Sequence, residues 1–136
     1  MRKAYRMAMK AGDSNLLSYV RQNLASTFEE MGEKDSCLYY ARLAYDLNAA
    51  NRFSCLLTFA SAYISVDSLN QAFSLLKQAM PKTAEDRYSV FYFQSQAAMK
   101  AQDFKSAKSF SDSAYHYLED MYRIALQGKA AYYTSF

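Results

Sequence analysis

Small and large apolar positions recur along this chain in three copies of one pattern. In the first copy Leu24, Ala25 and Phe28 precede Gly32 and are followed by Cys37, Tyr40, Ala41 and Ala44. In the second, Phe59, Ala60 and Tyr63 precede Asp67, then Ala72, Leu75, Leu76 and Ala79. The third reads Gln94, Ser95 and Ala98, then Gln102, then Ala107, Phe110, Ser111 and Ala114. Corresponding residues stand 35 apart, as Ala25, Ala60 and Ser95 do, and again Ala44, Ala79 and Ala114. Within each copy the three- and four-residue spacing predicts two helices. An internal period of this size with two helical patterns per repeat predicts a solenoid of stacked helical hairpins.

Small residues on facing helices let the backbones approach closely, while the aromatic and aliphatic residues beside them fill the remaining volume. The turn inside each hairpin is predicted at Gly32-Glu33, Asp67-Ser68 and Gln102-Asp103. Ser68 and Asp103 are expected to cap the second helix by accepting from free first-turn amides, with Glu33 a poorer cap.

Taken in order, residues 2–11 read as one helix. Tyr5 stands 35 before Tyr40, so residues 1–12 are predicted to form the second helix of an incomplete repeat. Asp13 or Ser14 then caps the first full repeat, residues 14–48, with helices to about Met31 and from about Lys34 to Leu47. Repeat 2 covers 49–82, with helices Arg52 to Ser65 and Leu69 to Met80, closed by Pro81. Repeat 3 covers 83–118, starting at Thr83 with Glu85 and Asp86 near its positive end and passing to a second helix from Phe104 to about Tyr117. Residues 119–136 are expected to form an unpaired first-type helix, because Leu126, Ala130 and Tyr133 stand 35 beyond Phe91, Ser95 and Ala98. Gly128 weakens its middle. Since the pattern begins and ends within a repeat, the chain reads as part of a longer one.

The combination Arg21…Leu24-Ala25…Phe28, Leu56…Phe59-Ala60…Tyr63 and Phe91…Gln94-Ser95…Ala98 resembles the opening motif of the tetratricopeptide repeat (TPR) family. Gly32, the small residues Cys37, Ala72 and Ala107, and Ala44, Ala79 and Ala114 resemble the rest of its consensus, over about Tyr19 to His116. Arg21 stands where the family has a bulky apolar residue, and the period is 35 where the family usually has 34. The resemblance implies an all-α, right-handed solenoid of about seven helices. It also implies scaffold or adaptor work, often as the sensory part of a larger bacterial protein.

Composition narrows the picture further. Half the residues are hydrophobic (51%) and 16% aromatic, with 13 Tyr and no Trp, so the chain folds. Three Gly and one Pro leave little material for strand turns. The net charge of +3 comes from interspersed basic and acidic residues, and the Lys100, Lys105 and Lys108 patch contains Asp103 and Asp112. A solvated helix face is expected there, not nucleic-acid binding. No run of about 20 apolar residues that could insert in a membrane is present, and no targeting segment is visible, so cytoplasm and periplasm both stay open.

Candidate chemistry is sparse. Cys37 and Cys55 lack the neighbours of a metal set and are expected to be free thiols. His116 is the sole histidine, and the serines at 106, 109, 111 and 113 have no adjacent base. With no phosphate loop and no metal spacing, the expectation is a non-enzyme without cofactors. The family's concave groove, lined by the first helix of each hairpin, would here present Gln22, Ser26 and Glu29, then Leu57, Ser61 and Ile64, then Tyr92, Gln96 and Met99. A protein or peptide partner is expected, Tyr92 being the leading anchor. Self-association into a homodimer through the end helices, or small-molecule binding of the carbohydrate-uptake type, are the alternatives.

Overall fold

The computed structural model describes residues 2–134, and the side chains of all of these except Ala8, Ala11 and residues 130–134. Every regular element among them is a helix: α1 (Arg2–Ala11), α2 (Ser14–Glu30), α3 (Lys34–Asp46), α4 (Arg52–Ser65), α5 (Leu69–Lys77), α6 (Ala84–Lys100) and α7 (Phe104–Thr134). They form two compact units, Met1–Ala79 with α1 to α5 and Met80–Phe136 with α6 and α7. In the first, α2 packs on α1, α3 and α4, and α4 packs on α3 and α5; in the second, α6 and α7 form a hairpin.

The 35-residue period is written into the backbone. Helices α2, α4 and α6 end at Glu30, Ser65 and Lys100, and their partners begin at Lys34, Leu69 and Phe104. Between them the equivalent residues Gly32, Asp67 and Gln102 all adopt left-handed conformations, with φ of 76°, 60° and 61°. Each turn closes by the same pair of bonds. The amides of Gly32, Asp67 and Gln102 donate to the carbonyls of Glu29, Ile64 and Met99, and those of Glu33, Ser68 and Asp103 donate to Phe28, Tyr63 and Ala98 at 2.9 to 3.0 Å. This is the Schellman arrangement, which satisfies carbonyls that a helix end leaves open.

The seam of small residues is buried as the pattern requires. Ala25, Ala60, Cys37, Ala72, Ala107, Ala44 and Ala114 all lie in the core. Ser95 is half-buried instead, its hydroxyl 2.6 Å from that of Ser111. Arg21, at the position of Leu56 and Phe91, is half-buried and reaches α1 with its guanidinium, which also approaches Met9 Sδ at 3.7 Å. The guanidinium donates to the Leu43 carbonyl at 3.4 Å and lies 5.7 Å from the Tyr5 ring centre, so a charged group held by a carbonyl and a ring stands where an apolar residue was expected.

Four expectations are corrected. Helix α5 ends at Lys77, short of Met80, because Pro81 clashes with the carbonyl four residues upstream, which is that of Lys77. Ala79 is consequently outside the helix and only half-buried. Ser68 makes no side-chain cap bond; its ψ of 65° differs from the extended 105° of Asp13 and 167° of Thr83, both of which do cap. Asp103 does cap, accepting from the Ser106 amide at 3.2 Å.

The fourth correction concerns the tail. The segment 119–136, expected as a separate helix, is continuous with the second helix of repeat 3 in α7, and among the described residues the helices number seven, as expected. At the crossover after α3 the chain turns at Asn48, with φ 49°. Two repeats on, that position is Leu118, which resists the left-handed conformation. The Asp120 carboxylate holds Arg123 at 2.7 Å and lies 3.8 Å from His116, so side-chain pairs on both sides of the junction favour continuation. The expectation for Phe136 lies outside the described residues.

Candidate functional site

Six of the nine groove residues named from the sequence lie on α2 and α4 of the first unit, and three on α6 of the second. Gln22 is engaged between helices: its Nε2 donates to Ser54 Oγ at 2.6 Å and Thr58 Oγ1 at 3.2 Å, and its Oε1 accepts from Asn51 at 3.0 Å. Ser26 and Glu29 are exposed, and Leu57 and Ser61 half-buried. Ile64 is only 6% exposed and belongs to the core, because α4 is covered by α2, α3 and α5 together.

On α6 the three residues share one face at successive turns. Tyr92 is 42% and Met99 53% exposed, and Gln96 lies between them. The Gln96 amide donates to the Tyr92 hydroxyl at 2.6 Å, which fixes the ring's orientation. The Tyr88 ring stacks beside it, centres 6.0 Å apart.

Two hollows neighbour this face. One, of about 220 Å³, lies between α6 and α7 with Tyr88 and Tyr92 on one wall, Tyr115 and Leu118 on the other and Ser111 and Ala114 between. The next, of about 360 Å³, continues along α7 between Tyr115, Leu118, Glu119 and Tyr122. Tyr122 is not a residue that the repeat pattern singles out. The continuous α7 leaves Tyr115 and Tyr122 open. In the first unit a separate hollow of about 370 Å³ has Phe59, Tyr63 and Leu75 as its floor and Asn70, Gln71 and Ser74 at its edge.

Titratable groups are few in these surfaces. Burial pushes the Cys37 thiol up, with Glu29 adding to the effect. Burial likewise pushes up Cys55, opposed by its hydrogen bond with Ser18. Both thiols are free, as expected. The bonds from Ser106 hold Asp103 below the ordinary carboxylate value. Among the described residues no group of His, Cys, Asp and Glu is placed to hold a metal ion, and no helix is long and apolar enough to cross a membrane.

Compared with family models, with curated proteins and with solved structures, the chain matches none.

Proposed function

We propose that this chain is a TPR-like, non-enzymatic interaction module that holds a peptide or a partner helix against the first helices of its hairpins. The observation that carries this reading is the face of α6, where Tyr92, Gln96 and Met99 stand exposed in one line with the tyrosine held by its neighbour. An oriented aromatic with a soft thioether about two turns away suits an amphipathic helix or extended neutral peptide. The three equivalent turns support a repeated hairpin unit, and a right-handed stack of such units is part of the proposal.

The side chains that line the face bring no cationic clamp, so a terminal carboxylate would gain none of the charge-assisted bonds that make its capture favourable. The test is selection from a displayed peptide library on the intact chain, followed by calorimetry with each selected peptide in free-acid and amidated form. Equal affinity of the two forms, with loss on Met99→Asp and little change on Lys105→Ala, is the expected result. Peptides that require the free carboxylate, or whose binding ignores Met99→Asp, would overturn the reading.

A further inference from the structure

The two units carry the same hairpin, and one of them shows what belongs on its open face. In the first unit, α4 covers the face formed by α2 and α3. Cys55 meets Ser18 at 3.3 Å, Thr58 meets Gln22 at 3.2 Å, and Phe59 packs with the Tyr45 ring at 5.7 Å and under the Arg42 guanidinium at 5.8 Å. Two repeats on, Ser18, Gln22, Arg42 and Tyr45 become Tyr88, Tyr92, Asp112 and Tyr115. Tyr88, Tyr92 and Tyr115 line the open hollow of the α6/α7 hairpin, Asp112 follows its lining residue Ser111 in the chain, and among the described residues no helix corresponding to α4 lies there.

The sequence that should supply that helix is present, but α7 carries it straight on. Tyr122 to Lys129 are all exposed, with Tyr122 at 68%, Ile124 at 60% and Leu126 at 49%. A helix that continues for sixteen residues past Leu118 extends roughly 24 Å from it and cannot turn back onto its own face. In register, the α4 residues Cys55, Thr58 and Phe59 become Ala125, Gly128 and Lys129.

The exchanges compensate pairwise. Where the face gains bulk, at Tyr88 for Ser18 and Tyr92 for Gln22, the tail loses it, at Ala125 for Cys55 and Gly128 for Thr58. Where Arg42 stands over Phe59, the later pair is Asp112 and Lys129, a carboxylate opposite an ammonium. Among the described residues Asp112 pairs with Lys108 on its own helix, both ends exposed. Because α4 runs antiparallel to α3, a tail laid in the same register runs antiparallel to the α7 it covers. The pairing centre then falls close to Met121. Two α7 helices crossing there place each tail on the other's face, as a two-fold interface requires.

We infer that the open α6/α7 face is covered by residues 122–134 of a second copy of this chain, in the register of α4, with Gly128 against Tyr92 and Lys129 opposite Asp112. This inference shares Tyr92 with the groove reading, the dimer covering the ring that a peptide would otherwise meet, but its test uses no added partner and so holds or fails separately.

The experiment is sedimentation of the full chain from micromolar to millimolar concentration, with Gly128→Leu as the deciding variant. Nothing lies within 4 Å of where a Gly128 side chain would begin, and leucine favours the helix, so the monomer should keep or raise its circular dichroism. A dimer that weakens tenfold or more in Gly128→Leu is the expected result. Asp112→Lys and Lys129→Asp should each weaken it a few-fold and together restore it. Mixing Asp112→Cys protein with Lys129→Cys protein under mild oxidation should give a covalent pair. A monomer at all concentrations, a dimer indifferent to Gly128→Leu, or a disulfide that closes only within one chain carrying both cysteines would overturn the inference.

Discussion

Ser18 on α2 and Cys55 on α4 meet at 3.3 Å, Oγ to Sγ, while the same hydroxyl donates to the Ala44 carbonyl on α3 at 3.2 Å. Three helices are therefore tied at one buried hydroxyl. Ser18→Ala removes both bonds and should lower stability by roughly 1 kcal/mol, read from urea unfolding. Val20 and Val90 occupy the repeat position of Cys55 and are also buried, so the thiol acts there as a small apolar group with a weak polar edge. Neither thiol should react with a soluble disulfide reagent faster than the chain unfolds. Rapid labelling in native buffer would show that the α2/α4 contact opens on its own.

The same two thiols give a dependence on pH. Burial raises both above the ordinary value of 9.0, so the unfolded chain ionises first as pH rises. Their contribution to stability is fully present below 9.0 and is lost as pH rises through the raised native values. Cys37→Ala with Cys55→Val, copying the residues of the other repeats, should flatten the fall in urea midpoint above that pH. An unchanged slope would assign the decline to other groups.

The turns offer a matched pair of substitutions. Gly32 has φ 76° with nothing within 4 Å of a built side chain, so Gly32→Ala meets backbone strain alone and should cost about 1 kcal/mol. Gln102 adopts φ 61° with a side chain already present, and Gln102→Gly should stabilise by roughly 0.5 kcal/mol. Opposite signs at the two positions would confirm that they share one conformation in solution.

Capping separates two positions that look alike in the sequence. Thr83 accepts from the Asp86 amide at 3.0 Å while the Asp86 carboxylate accepts from the Thr83 amide, a closed capping box. Thr83→Ala should cost about 1 kcal/mol, whereas Ser68→Ala, which breaks no cap bond, should fall within about 0.5 kcal/mol of neutral. Thermal melts of the two variants decide this.

The packing seam predicts a contrast between inner and outer positions. Ala60 is fully buried, and Ala60→Leu should overpack α4, costing roughly 1–3 kcal/mol. Lys77 is exposed at the last residue of α5, and Lys77→Leu should change stability by less than about 0.5 kcal/mol. Equal melting temperatures would contradict the seam.

The sequence alone determined where α1 to α4 and α6 run, the three hairpin turns and most of the buried small residues, because these depend on local periodicity and on residues within a few positions. The 35-residue spacing that placed Gly32, Asp67 and Gln102 in equivalent roles returns as one turn geometry. Tertiary structure decided what surrounds each position. Gln22 had the spacing of a groove residue but is held by Ser54, Thr58 and Asn51, and Ile64 lies in the core since three helices cover α4. The tail shows the limit most clearly: Leu126, Ala130 and Tyr133 keep the repeat register, yet register fixes only which face a residue occupies. Whether the chain turns back at Leu118 depends on devices that the earlier crossovers have and this one lacks, a left-handed Asn48 in one and Pro81 with the Thr83 capping box in the other, and so the same pattern continues as one helix with its partner face uncovered.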